Sequence, residues 1–229
     1  MLRPKKKLSK KVMKVDPLLT TYSNLLNFYE KNKKHISYAF TGLVVVVIAI
    51  VFYLNNRAAN NELASIQLGK IFQFYDQNNY HVAIDGQPEK GLNGLKKIVD
   101  EYGGTKSGEM ARFYLANAYY EIGETDKALA EYEDVSFSDK LLQASVYAGI
   151  AGCYERKADN LQAAKYYEKA ANKVSDNVLT PEYLSLAGRN YGNGGKKENA
   201  VNIFKRIKKE FKESNVARDA DRYIAEYSN

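Results

Sequence analysis

Residues 115–135 read LANAYYEIGETDKALAEYEDV, and their pattern returns twice farther along the chain, at intervals of 35 and then 37 residues. Leu115, Ile150 and Ala187 form one column, and the small residues Ala116, Ala151 and Gly188 form the next. Tyr119, Tyr154 and Tyr191 come after them, then Gly123, Ala158 and Gly195, then Ala128, Ala163 and Ala200, then Tyr132, Tyr167 and Phe204. Val135, Ala170 and Ile207 add a weaker seventh column. Small residues let two antiparallel helices cross closely, and an aromatic from each helix fills the space beside the crossing. The Gly/Ala column marks the turn where one helix stops. Each unit leaves an apolar face that only the next unit covers, so the units stack as a solenoid.

The pattern fades but does not vanish on either side. Gly91, Leu95 and Ile98 lie 37 residues before Ala128, Tyr132 and Val135, which predicts a degenerate earlier unit. Its first helix falls at about 62–76, with an insert around Asn78 to Pro88 separating the pair. At the other end Val216, Ala220, Tyr223, Ile224 and Tyr227 form an amphipathic stripe that reads as a capping helix.

Farther toward the N-terminus the character changes. Ile36 to Leu54, ISYAFTGLVVVVIAIVFYL, is 19 residues without a charge, about 28 Å as a helix. That length matches the hydrocarbon core of a bilayer, and Tyr38, Phe40, Phe52 and Tyr53 sit towards its ends at headgroup level. A buried core helix would be shorter and amphipathic. A cleaved signal peptide would have a shorter basic region and apolar run, and a cut after Ala59 would put Arg57 where a small residue is needed. An uncleaved anchor fits better.

Charge orients that anchor. Of 34 Lys and Arg, ten lie in residues 1–36, against two acids, Asp16 and Glu30. The remainder carries 24 basic and 25 acidic residues, so the net charge of +7 belongs to the tail and no nucleic-acid face is expected on the main domain. The cation excess predicts a cytoplasmic N-terminus and a C-terminal domain across the membrane, in the periplasm. Residues 1–15 are expected to form a basic disordered tail suited to anionic lipid or to ribosome contact. Residues 16–35 are expected to be a cytoplasmic amphipathic helix, with Asp16 as cap, Pro17 in its first turn and an apolar stripe from Leu18 to Tyr29. It would lie on the membrane or a partner, or simply lead into the span. Leu54 to Tyr75 lacks proline and keeps helical spacing, so the span is expected to run straight into the outer domain and hold it near the membrane. A hinge at Asn55-Asn56 is the alternative.

The repeat columns resemble the tetratricopeptide repeat (TPR) family, whose helix–turn–helix units are near 34 residues long. The chain departs from that family in having no Trp. The expected fold is all-α: one N-terminal transmembrane helix at 36–54, then a TPR-type solenoid at 55–229. Its repeats fall at about 62–102, 109–142, 144–177 and 181–212, with a cap at 214–228. The resemblance implies a concave wall built by the first helix of each unit. It puts Met110, Phe113, Asn117, Tyr120 and Glu121 there from one unit, Glu155 and Arg156 from the next, and Arg189 from the last. Some TPR domains clamp a peptide carboxylate with Lys and Asn. Here Phe113 and Gly149 occupy two of those positions, which argues against that clamp and leaves an extended or partly unfolded client chain as the expected ligand.

Chemistry is sparse. His35 and His81 are far apart, and Cys153 is the only cysteine, so no intrachain disulfide, metal cluster or nucleophile–base set can be assembled. GNGGKK (192–197) and GGTKSG (103–108) lack the GxxxxGK[ST] spacing of a phosphate loop, and Glu131, Glu133 and Asp134 read as a solvated helix face. No catalytic, cofactor or metal residue is assigned.

The order of parts, with FYEKNKKHI (28–36) leading into the span, resembles the ancillary subunit of the bacterial SecYEG translocon, the YfgM type. The long Lys-rich N-terminus departs from it. The resemblance implies an inner-membrane adaptor, not an enzyme. Its partners would be the SecYEG translocon, a membrane-tethered periplasmic chaperone and exported client proteins. A TPR scaffold for envelope assembly or cell division is a second reading, and an enzyme or enzyme subunit without a recognisable motif is a third.

Overall fold

The computed structural model describes residues 17–175 and 177–228, with nothing described of the Pro17 and Leu19 side chains. The expected disordered tail at 1–15 and the cap at Asp16 lie outside the described residues. Among those described there are ten α-helices and one ladder of two short strands. The chain divides into two compact units, Met1–Asn55 and Asn56–Asn229.

The described part of the first unit belongs to one helix, α1 (Pro17–Asp76), which carries proline at its first position, where no amide partner is needed. Residues 37–54 of this helix are all exposed. Its most apolar stretch reaches a mean hydropathy of 2.4 with none of it buried, so α1 is long and apolar enough to cross a membrane. Asn55 and Asn56 are helical, within α1.

In the second unit the last turns of α1 direct Ala64 and Ile71 fully inward. The helix ends where Asn78 takes a left-handed conformation (φ 58°), which asparagine tolerates better than most residues, and the Asn79 amide returns to the Phe74 carbonyl at 2.8 Å. The expected insert at Asn78 to Pro88 holds α2 (Tyr80–Asp85) and β1 (Gly86–Gln87). A short 3-10 turn, Pro88–Lys90, then leads to β2 (Leu92–Asn93), antiparallel to β1. Gly91 therefore differs from its expected place in a helix column. It comes just after the 3-10 turn at φ 67°, a conformation the proline-led turn needs and glycine supplies. Leu95 and Ile98 do sit in a helix, α3 (Leu95–Tyr102), and both are buried.

Three helical hairpins complete the repeats: α4 (Lys106–Glu121) with α5 (Thr125–Glu133), α6 (Lys140–Arg156) with α7 (Asn160–Lys173), and α8 (Thr180–Asn193) with α9 (Lys197–Glu210). Helix α10 (Asn215–Ser228) closes the stack by laying Val216, Ala220 and Tyr227 against the last hairpin. The sequence columns become layers of the core. Ala116, Ala151, Ala128, Ala163 and Ala200 have no exposed surface, and Tyr132, Tyr167 and Phe204 are buried beside them. The fold is all-α and TPR-like, as the periodicity requires.

Candidate protein-binding face

Helix α4 is fixed at its start by Thr105, whose hydroxyl accepts from the Gly108 amide at 3.0 Å and donates to the Tyr102 carbonyl at 2.8 Å. Helix α6 is fixed by Asp139, whose Oδ1 accepts from the Leu141 and Leu142 amides at 2.9 Å each. Their C-terminal halves bring the expected binding residues towards one another, but not as one continuous row.

Tyr120, Glu155, Arg156 and Arg189 gather. The Tyr120 ring lies over Gly152, where a Cβ would come within 3.2 Å of the hydroxyl. The Arg156 guanidinium stacks on the same ring, 3.4 Å from its centroid, and Nη1 donates to the Tyr120 carbonyl. The charge is thus pinned on an aromatic face while remaining exposed to solvent. Glu155 is more a tie than a free contact. One carboxylate oxygen accepts from the Tyr167 hydroxyl at 2.8 Å and the other from Asn190 Nδ2 at 2.6 Å, linking α6, α7 and α8. Burial, and then the Glu155 carboxylate, push the Tyr167 hydroxyl far above its ordinary range, so it stays a donor. Arg189 is exposed and pairs with no acid among the described residues. Its charge acts on Tyr167 and Tyr227, favouring their ionised forms.

The other expected residues are placed differently. Phe113 is half-buried in an aromatic cluster, with ring centroids 6.1 Å from Tyr132 and 5.9 Å from Phe137. Asn117 accepts from the buried Tyr132 hydroxyl. Both tie the repeat to itself. Glu121 is exposed, and its charge raises Tyr75, Tyr80 and Tyr132; burial is the larger cause for each, and Tyr75 is pushed up to about 12. Met110 stands apart, half-buried in a hollow with Gly104, Phe137 and Leu142.

Sequence reading missed Asn190 and Tyr167 as polar partners of Glu155, and Asn190 does not hold the position equivalent to Glu155 in the next unit. It also missed Tyr75, which packs edge-on against Tyr114 at 5.1 Å. The signal was present only as an aromatic at helical spacing.

No arrangement for covalent chemistry accompanies this face among the described residues. Cys153 is fully buried, and burial pushes its thiol up to about 11, so little thiolate forms at neutral pH. His81 is exposed, and no group of His, Cys, Asp and Glu able to hold a metal ion is found among the described residues. The two Gly-rich stretches lie at helix junctions, before α4 and between α8 and α9.

These features define a helical-repeat protein of the scaffold class. The tetratricopeptide repeat family model matches residues 110–136 and 182–214. The fold is similar to the crystal structure of a Podosopora anserina putative kinesin light chain with nearly identical TPR-like repeats. That likeness has a TM-score of 0.55 at 15% identity, over 73% of this chain and 85% of the other. No curated protein matches the sequence. TPR repeats make protein–protein interaction scaffolds, and repeat stacks of this kind are typically not enzymes.

Proposed function

We propose that this chain is a single-pass inner-membrane adaptor whose TPR domain lies on the periplasmic side. There it binds proteins beside the Sec translocon, linking the translocon to a tethered chaperone or to clients. The observation that carries the reading is the uncovered apolar run of α1 on the same chain as a scaffold-type repeat stack. An 18-residue apolar window with no buried surface needs lipid to cover it, and the cations crowd before it. The resemblance in order of parts to the ancillary translocon subunits supplies the partner class.

Within that reading the binding face is the cluster of Tyr120, Arg156 and Arg189, bordered by Glu121. A stacked guanidinium and an unpaired one beside an aromatic suit an extended chain that offers backbone carbonyls and occasional carboxylates. The test is in-cell photocrosslinking from positions 120 and 189 of the full chain. Adducts with translocon subunits, a membrane-tethered chaperone or nascent exported proteins are expected. Adducts confined to envelope-building machinery would overturn the assignment. Protease added outside spheroplasts should cut within 62–229; protection of that region would overturn the sidedness.

A further inference from the structure

The turns put the four units in one register. Asn78, Gly123, Ala158 and Gly195 all hold left-handed conformations. The amide just beyond each returns to an aromatic residue's carbonyl: Asn79 to Phe74 and Lys196 to Tyr191 at 2.8 Å, Glu124 to Tyr119 and Asp159 to Tyr154 at 2.9 Å. Counting back from these turns shows what each first helix offers to the unit before it. Fifteen residues before the turns stand Leu63, Gly108, Gln143 and Thr180, and twelve before stand Ile66, Ala111, Val146 and Tyr183. Gly108, Gln143 and Thr180 are buried, and a Cβ on Gly108 would strike the Tyr102 carbonyl of α3. Ala111 and Val146 are buried as well, and Tyr183 is half-buried. Leu63 and Ile66, by contrast, are 48% and 51% exposed. Gly69 repeats the difference. Its counterpart Gly149 is pressed on the Tyr132 ring of α5, whereas a Cβ on Gly69 would meet nothing within 4 Å. Helix α10 closes one end of the stack. At the other end α1 presents the unit-to-unit face with no described helix on it.

We propose that a second copy of this chain covers the open end, the two α1 helices pairing side by side in parallel. The face continues the interface by which the units already stack, and its spacing is that of a self-pairing helix. Asn56, Ala59, Leu63, Ile66 and Lys70 are all exposed and follow one another at steps of 3, 4, 3 and 4 residues, as a and d positions do in a coiled coil. Asn56 and Lys70 then fall at a positions on either side of Leu63, and a polar residue at such a place fixes register and the number of strands. In sequence the same spacing runs back through Gly42, Val45, Ala49 and Phe52 of the apolar run, where small residues let helices approach closely in lipid. Charge agrees with self-pairing. Parallel copies bring identical residues to the same height, so a charge on the seam would face its own kind. From Asn56 to Ile66 the seam carries none, and Lys70 ends it. The parallel direction rests on the membrane-anchored reading above, which inserts both copies the same way. Under it residues 1–16 lie across the bilayer and cannot reach this face. A pair about a two-fold axis uses the same patch on both copies and leaves no further open end.

The test is oxidative disulfide crosslinking of the full chain in its membrane, with the unsubstituted chain, whose Cys153 is buried, as the blank. Leu63→Cys and Ile66→Cys should each give a disulfide-linked dimer. Ser65→Cys, exposed on the same helix but off the seam, should give at least tenfold less. Leu63→Glu with Ile66→Glu should raise the dimer dissociation constant at least tenfold in sedimentation of the full chain in detergent, with helix content unchanged because both positions are exposed in the single copy. Copies carrying Asn56→Cys, mixed with copies carrying Lys70→Cys, should not crosslink to each other, since 14 residues of parallel helix hold those positions about 21 Å apart. Equal crosslinking at 65 and 66, adducts from 63 and 66 to another protein in place of a second copy, or a 56-to-70 adduct (the mark of an antiparallel pair) would each overturn the proposal. A domain protected in the spheroplast protease test while the 63 and 66 dimers form would fault the sidedness and leave the pair standing.

Discussion

Hairpins α4–α5 and α6–α7 carry the same columns and solve the same packing problem with different parts. In the first, the turn residue is Gly123 at φ 84°, the second helix stops at Glu133, and Arg112 bridges back to Glu131 at 2.9 Å and Asp134 at 3.3 Å. In the second, the turn residue is Ala158 at φ 57°, α7 runs its full length, and the tie is the Tyr167–Glu155–Asn190 chain reaching into α8, in which buried Tyr167 and Asn190 meet the exposed Glu155. The columns therefore specify where helices cross. The few residues beyond the last column decide how far the second helix runs.

The largest effect should come from removing the ring that closes the second hairpin. Tyr167→Ala takes away a buried aromatic and the hydroxyl that satisfies Glu155, so a loss of about 3–5 kcal/mol is expected in denaturant unfolding. A loss below about 1 kcal/mol would mean that the α6–α7 unit is not tied through this residue. Next comes the seam between the hairpins. A Cβ at Gly149 of α6 would lie 2.4 Å from the Tyr132 ring of α5. Gly149→Ala should therefore cost about 1–3 kcal/mol through overpacking, despite alanine's better helix propensity.

Much of the fold was legible in the sequence because core contacts recur at a fixed period. Ala116 and Ala151 read as crossing points and are fully buried, and the Tyr132, Tyr167 and Phe204 column is the aromatic layer of the core. Two things were not legible. Hydrogen bonds between units, such as Glu155 with Asn190, depend on side-chain reach across helices, which no periodicity encodes. The length of α5 depends on a contest between helix and turn over a few residues, where single-chain propensities are weak. Phe113 and Asn117, expected on the binding wall, are half-buried and also engage Tyr132 and Phe137, contacts that position in the repeat does not encode.

The first hairpin's polar tie should show a pH signature on the acid side. Burial raises the Glu131 carboxyl above its ordinary value of 4.5, and Arg112 opposes that rise. A carboxyl whose folded pKa is raised favours the folded state at low pH, and that contribution fades as pH climbs through the raised value. Arg112→Ala removes the opposing charge and raises the group further. Its destabilisation, about 1–2 kcal/mol at neutral pH, should shrink as pH falls towards the ordinary glutamate value. Adding Glu131→Gln should flatten that dependence, and an Arg112→Ala penalty that stays constant with pH would place the stabilisation in packing of the Arg stem.

The smallest effect has opposite signs in the two hairpins, which makes it the sharpest discriminator. Ala158 holds a left-handed conformation that costs an L-residue roughly 1–2 kcal/mol. Glycine there removes the strain but frees the unfolded chain, which costs about 0.4–1 kcal/mol. Ala158→Gly should therefore stabilise by about 0.5–1 kcal/mol, the difference between strain relief and chain entropy. At Gly123 a Cβ would meet nothing within 4 Å, so Gly123→Ala tests backbone conformation alone and should destabilise by a similar amount. Thermal melts of both variants check the pair. If Ala158→Gly proves neutral or harmful, the α6–α7 turn has relaxed to a conformation alanine prefers, and the two hairpins do not share their turn.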